Sequence, residues 1–150
     1  VIGEKIDQLQ SLIKLCAALG IPEDVMGQYT AEKKTIVNKK LKKVKQTKEE
    51  LDKVMNESQI IFATYGMMSY GIDIPRLDAG IDVTPRSNYF DQIIGRVRRP
   101  VDGKPKSIWF TPIDVSCTEF VRMFEKRRTT CIESGGEVWS PRRFINGKIK

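Results

Sequence analysis

Two short segments carry the residues best suited to chemistry. The first is Gln92-Ile93-Ile94-Gly95-Arg96-Val97-Arg98-Arg99-Pro100. On a helix, Arg96 and Arg99 stand three apart and share a face, and Gly95 beside them leaves room for close approach. Two guanidinium groups converging on one point suit a polyphosphate, because each offers a planar fork of donors. A helix end whose arginines complement the dipole accounts for the same residues. The second segment is Ala63-Thr64-Tyr65-Gly66-Met67-Met68-Ser69-Tyr70-Gly71-Ile72-Asp73-Ile74-Pro75. It leaves a strand candidate, passes through small and hydroxyl residues, and ends at a glycine and a carboxylate before proline. Ligands of open α/β sheets sit beyond the carboxyl ends of strands. Backbone amides and the Thr64 hydroxyl can hold a phosphate there, and a carboxylate can accept from a sugar hydroxyl. An ordinary strand-to-loop turn also fits this spacing.

Other chemistries are closed by composition. The chain has no histidine, which removes Ser-His and Cys-His nucleophile pairs and every histidine-containing metal site. Its three cysteines, Cys16, Cys117 and Cys131, are far apart and form no C-x-x-C pair. They read as small apolar residues in a reducing compartment, which makes a cytoplasmic location the expectation. No metal ligand set is expected within these residues. Neither a membrane-length apolar run nor a signal-peptide pattern is present. At 150 residues with 40% hydrophobic and 30% charged residues, the chain has the balance of one globular domain.

The elements that must position the two segments alternate. Ile6, Leu9, Leu12, Ile13, Cys16 and Leu19 recur at helical spacing, and Gly20 and Pro22 supply the stop. Only Val1-Ile2 precedes this helix, so the chain is expected to begin inside a strand, reduced to a couple of residues. Gln59-Ile60-Ile61-Phe62-Ala63 suits a buried parallel strand. Ala79-Gly80-Ile81-Asp82-Val83 and Ser107-Ile108-Trp109-Phe110 are two more strand candidates. A helix is predicted from Ser87 to Arg96, with Tyr89, Phe90, Ile93 and Ile94 apolar. Ser116-x-x-Glu119 reads as a capping box for a helix carrying Phe120, Met123 and Phe124. Strands alternating with helices predict an α/β fold with a doubly wound, mainly parallel sheet flanked by helices.

The strongest charge feature lies between these elements. Residues 31–56 hold nine lysines and four acids in a chain of net charge +7. Ile36, Val37, Leu41 and Val44 recur on one helical face, and Thr47-x-x-Glu50 is a capping box for a helix carrying Leu51, Val54 and Met55. The segment is therefore expected to be helical, its lysines forming either a solvated face or a nucleic-acid surface.

Taken together, the order A-T-x-x-x-x-x-x-G-x-D-x-P, a strand, and then Q-x-x-G-R-x-x-R resembles motifs V and VI of superfamily 2 helicases. In that family these motifs lie in the second RecA-like domain, and the resemblance covers most of the chain. Val1 to Lys5 resembles the end of the motif IV strand. Arg76-Leu77-Asp78 to Thr84-Pro85, and Gly103-Lys104 before a tryptophan-containing strand, resemble phage and large-virus DEXH-type DNA helicases. The resemblance implies that Thr64 touches the nucleic-acid backbone and that Gly71 and Asp73 couple nucleotide to strand. It implies that Gln92, Arg96 and Arg99, with Gly95 between them, reach ATP phosphates across an interdomain cleft, the arginines as fingers. Arg98 falls at a variable position.

The departures from that family are equally definite. No G-x-x-x-x-G-K-[ST] loop and no D-E-x-[DH] motif is present. The first RecA-like domain, which would hold ATP and Mg2+, is not in these residues. Residues 1–134 are thus expected to form an N-terminally truncated second motor domain, with residues 135–150 a basic extension. The expected partners are that first domain and single-stranded or branched DNA, gripped in part by Lys39, Lys40, Lys42 and Lys43. A stand-alone, non-catalytic nucleic-acid-binding module derived from a helicase is the other reading.

Overall fold

The computed structural model describes residues 1–37, 40–69, 73–84, 86, 88, 90–139, 144–145 and 148–149. The chain runs β1 (Ile2–Gly3), α1 (Ile6–Ala18), a 3-10 turn (Glu23–Val25), β2 (Met26–Tyr29), β3 (Glu32–Val37), β4 (Lys40–Lys45) and α2 (Lys48–Glu57). It continues through β5 (Ile60–Thr64), α3 (Tyr65–Ser69), β6 (Ala79–Ile81), α4 (Phe90–Val97), β7 (Ile108–Phe110) and α5 (Thr118–Glu133), with a short pair β8 (Phe144–Ile145) and β9 (Lys148–Ile149) near the end.

Strand β5 lies between β1 and β2, parallel to both, and β6 pairs in parallel with β7. A parallel bridge between Ile2 and Asp82, with Val83 N–H donating to the Ile2 carbonyl at 2.8 Å, joins the two groups. Five parallel strands therefore run in the order β2, β5, β1, β6, β7. The chain moves one way from β1 and the other way from β6, so the strand order reverses between them. This is the expected α/β architecture, a mainly parallel sheet flanked by helices and compatible with a RecA-like arrangement.

Register assigns the faces, because paired residues of parallel strands point to the same side. Ile2, Gly27, Tyr29, Ile61 and Ala63 share one face, and Gly3, Gln28, Phe62 and Thr64 share the other. Helix α1 covers the second face, where Leu9 is fully buried and Gln10 donates to Gln28 at 3.3 Å. On the first face, Gly27 lets α2 sit close: a Cβ there would come within 2.2 Å of Ser58 Oγ and 2.6 Å of Val54. The main core gathers on that side, with Ile2, Tyr29, Ile61, Ala63, Tyr65, Met68, Ile74 and Ile93 buried together.

Several expectations are corrected. Residues 32–37 and 40–45 form an antiparallel ribbon, β3 with β4, and not helix; among the described residues of the lysine-rich segment only Lys48–Glu57 is helical. Its apolar residues suited a helical face, but Ile36, Val37, Leu41 and Val44 are mainly β-branched, and cross-strand pairing suits them better. Thr47 and Glu50 do form the capping box. Ser116 does not cap α5: the N-cap is Cys117, and Ser116 bonds the Asp114 carboxylate through both its hydroxyl and its backbone N–H. Helix α1 ends as expected, with Gly20 at φ +91°, but Leu19 is its exposed C-cap residue and not part of the buried stripe. Helix α4 starts at Phe90, while Ser87 and Tyr89 lie outside the described residues. No helix among the described residues is long and apolar enough to cross a membrane.

Candidate functional site

Helix α4 ends at Val97 and carries Arg96, whereas Arg99 lies past its end, so the two arginines do not share a helical face as expected. Phe90, Ile93, Ile94 and Val97 turn inward and are buried, which leaves Gln92, Gly95, Arg96 and Arg98 on outward or flanking positions. The helix end is held from behind. Gly103, at φ +77°, turns the chain so that Lys104 Nζ donates to the carbonyls of Val97 at 2.6 Å and Arg99 at 3.0 Å. Ser107 Oγ donates to the Val97 carbonyl as well, at 2.7 Å. A cation on the last carbonyls of a helix complements its dipole, and here it also fixes the backbone that carries Arg99.

The two segments singled out in the sequence meet at this helix. Arg96 Nη2 donates to the carbonyl of Ser69, the last residue of α3, at 2.9 Å. Arg99 Nη1 forms an ion pair with Asp73 Oδ1. Both partners of that pair are about half exposed, Arg99 at 48% and Asp73 at 61%. Ser69 is itself locked, its hydroxyl donating to the Tyr65 carbonyl at 2.7 Å. Residues 26 and 27 positions apart in the chain are thus brought into direct contact. Asp73 and Arg96 thus lie in one neighbourhood.

The remaining candidates are placed as follows. Thr64 ends β5, half-buried at the carboxyl end of the sheet. Gln92 is exposed one turn before Arg96, on the same side of α4. Gly95 is exposed, and a Cβ built there would meet nothing within 4 Å. Gly71 and Lys39 lie outside the described residues. Lys40 is paired in register with Val37, and Lys42 and Lys43 are exposed on β4. Arg98 is exposed. The chain therefore brings Ser69, Asp73, Arg96 and Arg99 together, and Lys42 and Lys43 belong to the ribbon.

A second charged centre escaped the sequence reading. Asp82, just past β6 where the strand order reverses, is fully buried and ion-paired with Arg127 of α5, itself only 3% exposed. Trp109 Nε1 donates to Asp82 at 3.2 Å, and Tyr65 OH donates to the Thr84 carbonyl at 2.7 Å and reaches Asp82 at 3.4 Å. The Arg127 guanidinium bonds Thr111 Oγ1 and lies 4.6 Å from the Phe90 ring centroid. Burial, and then the neighbouring Asp82 charge, push the Tyr65 hydroxyl well above its ordinary pKa, so it stays a neutral donor. The signal was present in the sequence. Asp82 interrupts an apolar strand candidate, and Arg127 follows Phe120, Met123 and Phe124 at the next apolar position of α5. A charge at two such positions calls for a mutual partner.

No known protein family and no curated protein matches the chain.

Proposed function

We propose that this chain acts as the second motor domain of an ATP-dependent nucleic-acid helicase or translocase, with DNA the favoured track. The observation that carries the reading is the junction of the two segments, Arg96 on the Ser69 carbonyl and Arg99 on Asp73. Arg96 in the last turn of α4 and Arg99 just past it, tied to Ser69 at the end of α3 and to Asp73, form a sensor able to exchange an internal partner for a phosphate. The exchange costs little. A solvent-exposed ion pair is worth about 0–1 kcal/mol, so a polyphosphate outcompetes Asp73 for the Arg99 fork.

Within this reading, bound ATP with Mg2+ supplies the phosphoryl group whose transfer to water releases the driving free energy. A first motor domain, in the same polypeptide or a separate one, holds that nucleotide, because no phosphate-binding glycine loop occurs in these residues. Arg96 and Arg99 contact its phosphate oxygens from across the cleft and stabilise charge as it builds in the transition state. Gln92, exposed on the same side of α4 as Arg96, contacts the same phosphates in this reading, and Gly95, which faces open space, allows close approach. When Arg99 leaves Asp73, that carboxylate loses its partner, which links nucleotide state to motif V and, through Thr64, to the strand contact.

The test uses a protein in which a first motor domain is joined to this one. Arg96→Ala or Arg99→Ala lowers ATP turnover by about three orders of magnitude, the scale of arginine fingers, and weakens nucleotide binding far less. Arg99→Lys restores little, because an ammonium cannot reproduce a two-point contact. Arg98→Ala is close to silent. Equal losses in all three variants would assign the effect to bulk charge, and dispensable Arg96 and Arg99 would end the motor reading. The chain alone is expected to show no DNA-stimulated ATPase activity. The rival reading, a non-catalytic nucleic-acid binder, draws its support from the lysine ribbon, which needs no nucleotide to bind a polyanion.

A further inference from the structure

We infer that the β3–β4 ribbon is a grip for double-stranded DNA that stands in the major groove, with one face toward each phosphate wall. The inference goes beyond the motor reading and does not depend on it, since neither ATP nor the arginines take part.

Charge points to the kind of partner. Strands β3 and β4 together contain six lysines and one glutamate, a surplus of five in a chain of net charge +7. Most of the net charge therefore resides in one two-stranded element.

Geometry narrows the partner further. The ribbon pairs with no other strand among the described residues. Its root is fixed to the body: Lys33 bonds Glu50 at the start of α2, the Gln46 side chain bonds Thr30 and the Gln28 carbonyl, and Gln46 N–H donates to Ala31. Beyond that root, alternation places Lys42 and Val44 on one face and Lys43 and Lys45 on the other, all four exposed. Lysines on both faces do not suit a flat anionic surface, nor a single strand lying along one side, because either would leave half the charge unanswered. Two phosphate walls answer both faces. The B-form major groove is about 12 Å wide and admits a two-stranded β-ribbon, whereas the minor groove is about 6 Å wide. The deep, narrow major groove of duplex RNA does not admit it.

Register adds a reason for the ribbon to seek an anion. Lys43 stands directly opposite Lys34. Like charges in directly opposed positions destabilise a strand pair, and phosphates between them reverse that sign. Lysines contact phosphate without reading bases, so the grip is indifferent to sequence.

The test takes the chain alone, without nucleotide, and follows binding to a labelled 24-base-pair DNA duplex, its single strand and the matching RNA duplex from about 50 to 200 mM salt, a range over which phosphate contacts are lost steeply. The DNA duplex is expected to bind best. Lys42→Ala and Lys43→Ala, one from each face, should each reduce the slope of log affinity against log salt by about 0.9, and the double variant by about twice that. Lys53→Ala, on α2, should leave the slope unchanged. Circular dichroism matching the parent chain confirms that the exposed substitutions leave the fold intact. Equal binding of single strand or duplex RNA, or dependence on one face only, would overturn the groove placement. Arg96→Ala and Arg99→Ala are expected to keep duplex binding, so failure of the motor reading and failure of the ribbon reading give different results.

Discussion

Two aspartate–arginine pairs hold opposite stations in this protein. Asp82–Arg127 is sealed between the sheet, α4 and α5, whereas Asp73–Arg99 lies at the surface with both partners about half exposed. The chemistry is the same, so burial alone separates their roles. A sealed pair must remain made, because either partner left alone is an uncompensated charge in a low-dielectric interior. An exposed pair can open into water at little cost and trade its partner for a ligand. The sealed centre therefore fixes α5 and α4 on the sheet, and the open one is left to respond.

The largest expected effect breaks the sealed pair. Asp82→Asn should destabilise the fold by about 3–5 kcal/mol, seen as a lower urea midpoint with an unchanged m-value. Replacing both partners, Asp82→Leu with Arg127→Met, should recover most of that loss, since two fitted apolar side chains need no partner. Asp73→Ala should move the midpoint by less than about 1 kcal/mol. If Asp73→Ala proves as damaging as Asp82→Asn, the surface pair is structural and cannot serve as an exchangeable sensor.

The contrast also shows what could be read from the sequence. Strands β5, β6 and β7 and helices α1, α2 and α4 were legible, because their apolar periodicities match the faces they bury. The Asp73–Arg99 pair was not legible, because only tertiary packing brings residues 26 positions apart into contact. The ribbon was misread. Lysines contribute no periodicity, and in so short a span its few β-branched residues fitted a helical face as well as a strand pair. Pairing of β3 with β4 decided the matter, and that is a tertiary fact outside any local window. The capping motif at Ser116 failed because Asp114 offers the hydroxyl a nearer acceptor. Asp82–Arg127 was not legible because its partners are 45 residues apart and only tertiary packing brings them together.

A pair of glycines sharpens the same comparison at smaller scale. At Gly80 an added Cβ would stand 2.2 Å from the Trp109 ring, whose indole bonds Asp82 and which meets Phe90 edge-on at 5.8 Å between centroids. Gly80→Ala must displace that ring from the sealed centre and should cost about 1–3 kcal/mol. Gly95, beside Arg96, faces open space, so Gly95→Ala should gain about 0.5–1 kcal/mol from helix propensity. Thermal unfolding of the two variants should thus shift in opposite directions. A destabilised Gly95→Ala would mean that the α4 surface packs more tightly than its open face implies.

The smallest effect concerns a third ion pair, Lys33–Glu50, which ties the ribbon to α2 with side chains 34% and 40% exposed. The Lys33 ammonium, and after it the Thr47 backbone N–H, hold the Glu50 carboxyl below its ordinary value of 4.5. A carboxyl depressed by folding contributes stability that is fully present above its unfolded pKa and is lost as pH falls through the lower folded value. Between neutral pH and about 5 the ribbon root and the helix cap should therefore stay unchanged, as carboxylates remain ionised there. As pH falls below 4.5 through the lower folded value, protonation removes the charge that holds Lys33 and weakens the acceptor used by Thr47 N–H, and the first turn of α2 should loosen together with the ribbon. Amide exchange at Thr47 is the readout, because its N–H donates to Glu50 at 3.0 Å. Glu50→Gln keeps an acceptor for the cap but loses the charge that binds Lys33, so it should abolish most of the acid dependence while leaving α2 in place. If exchange at Thr47 rises on acidification equally in Glu50→Gln, another carboxyl governs the root. The ribbon would then be held by Gln46 and Thr30 alone, neutral groups that neither salt nor acid can release.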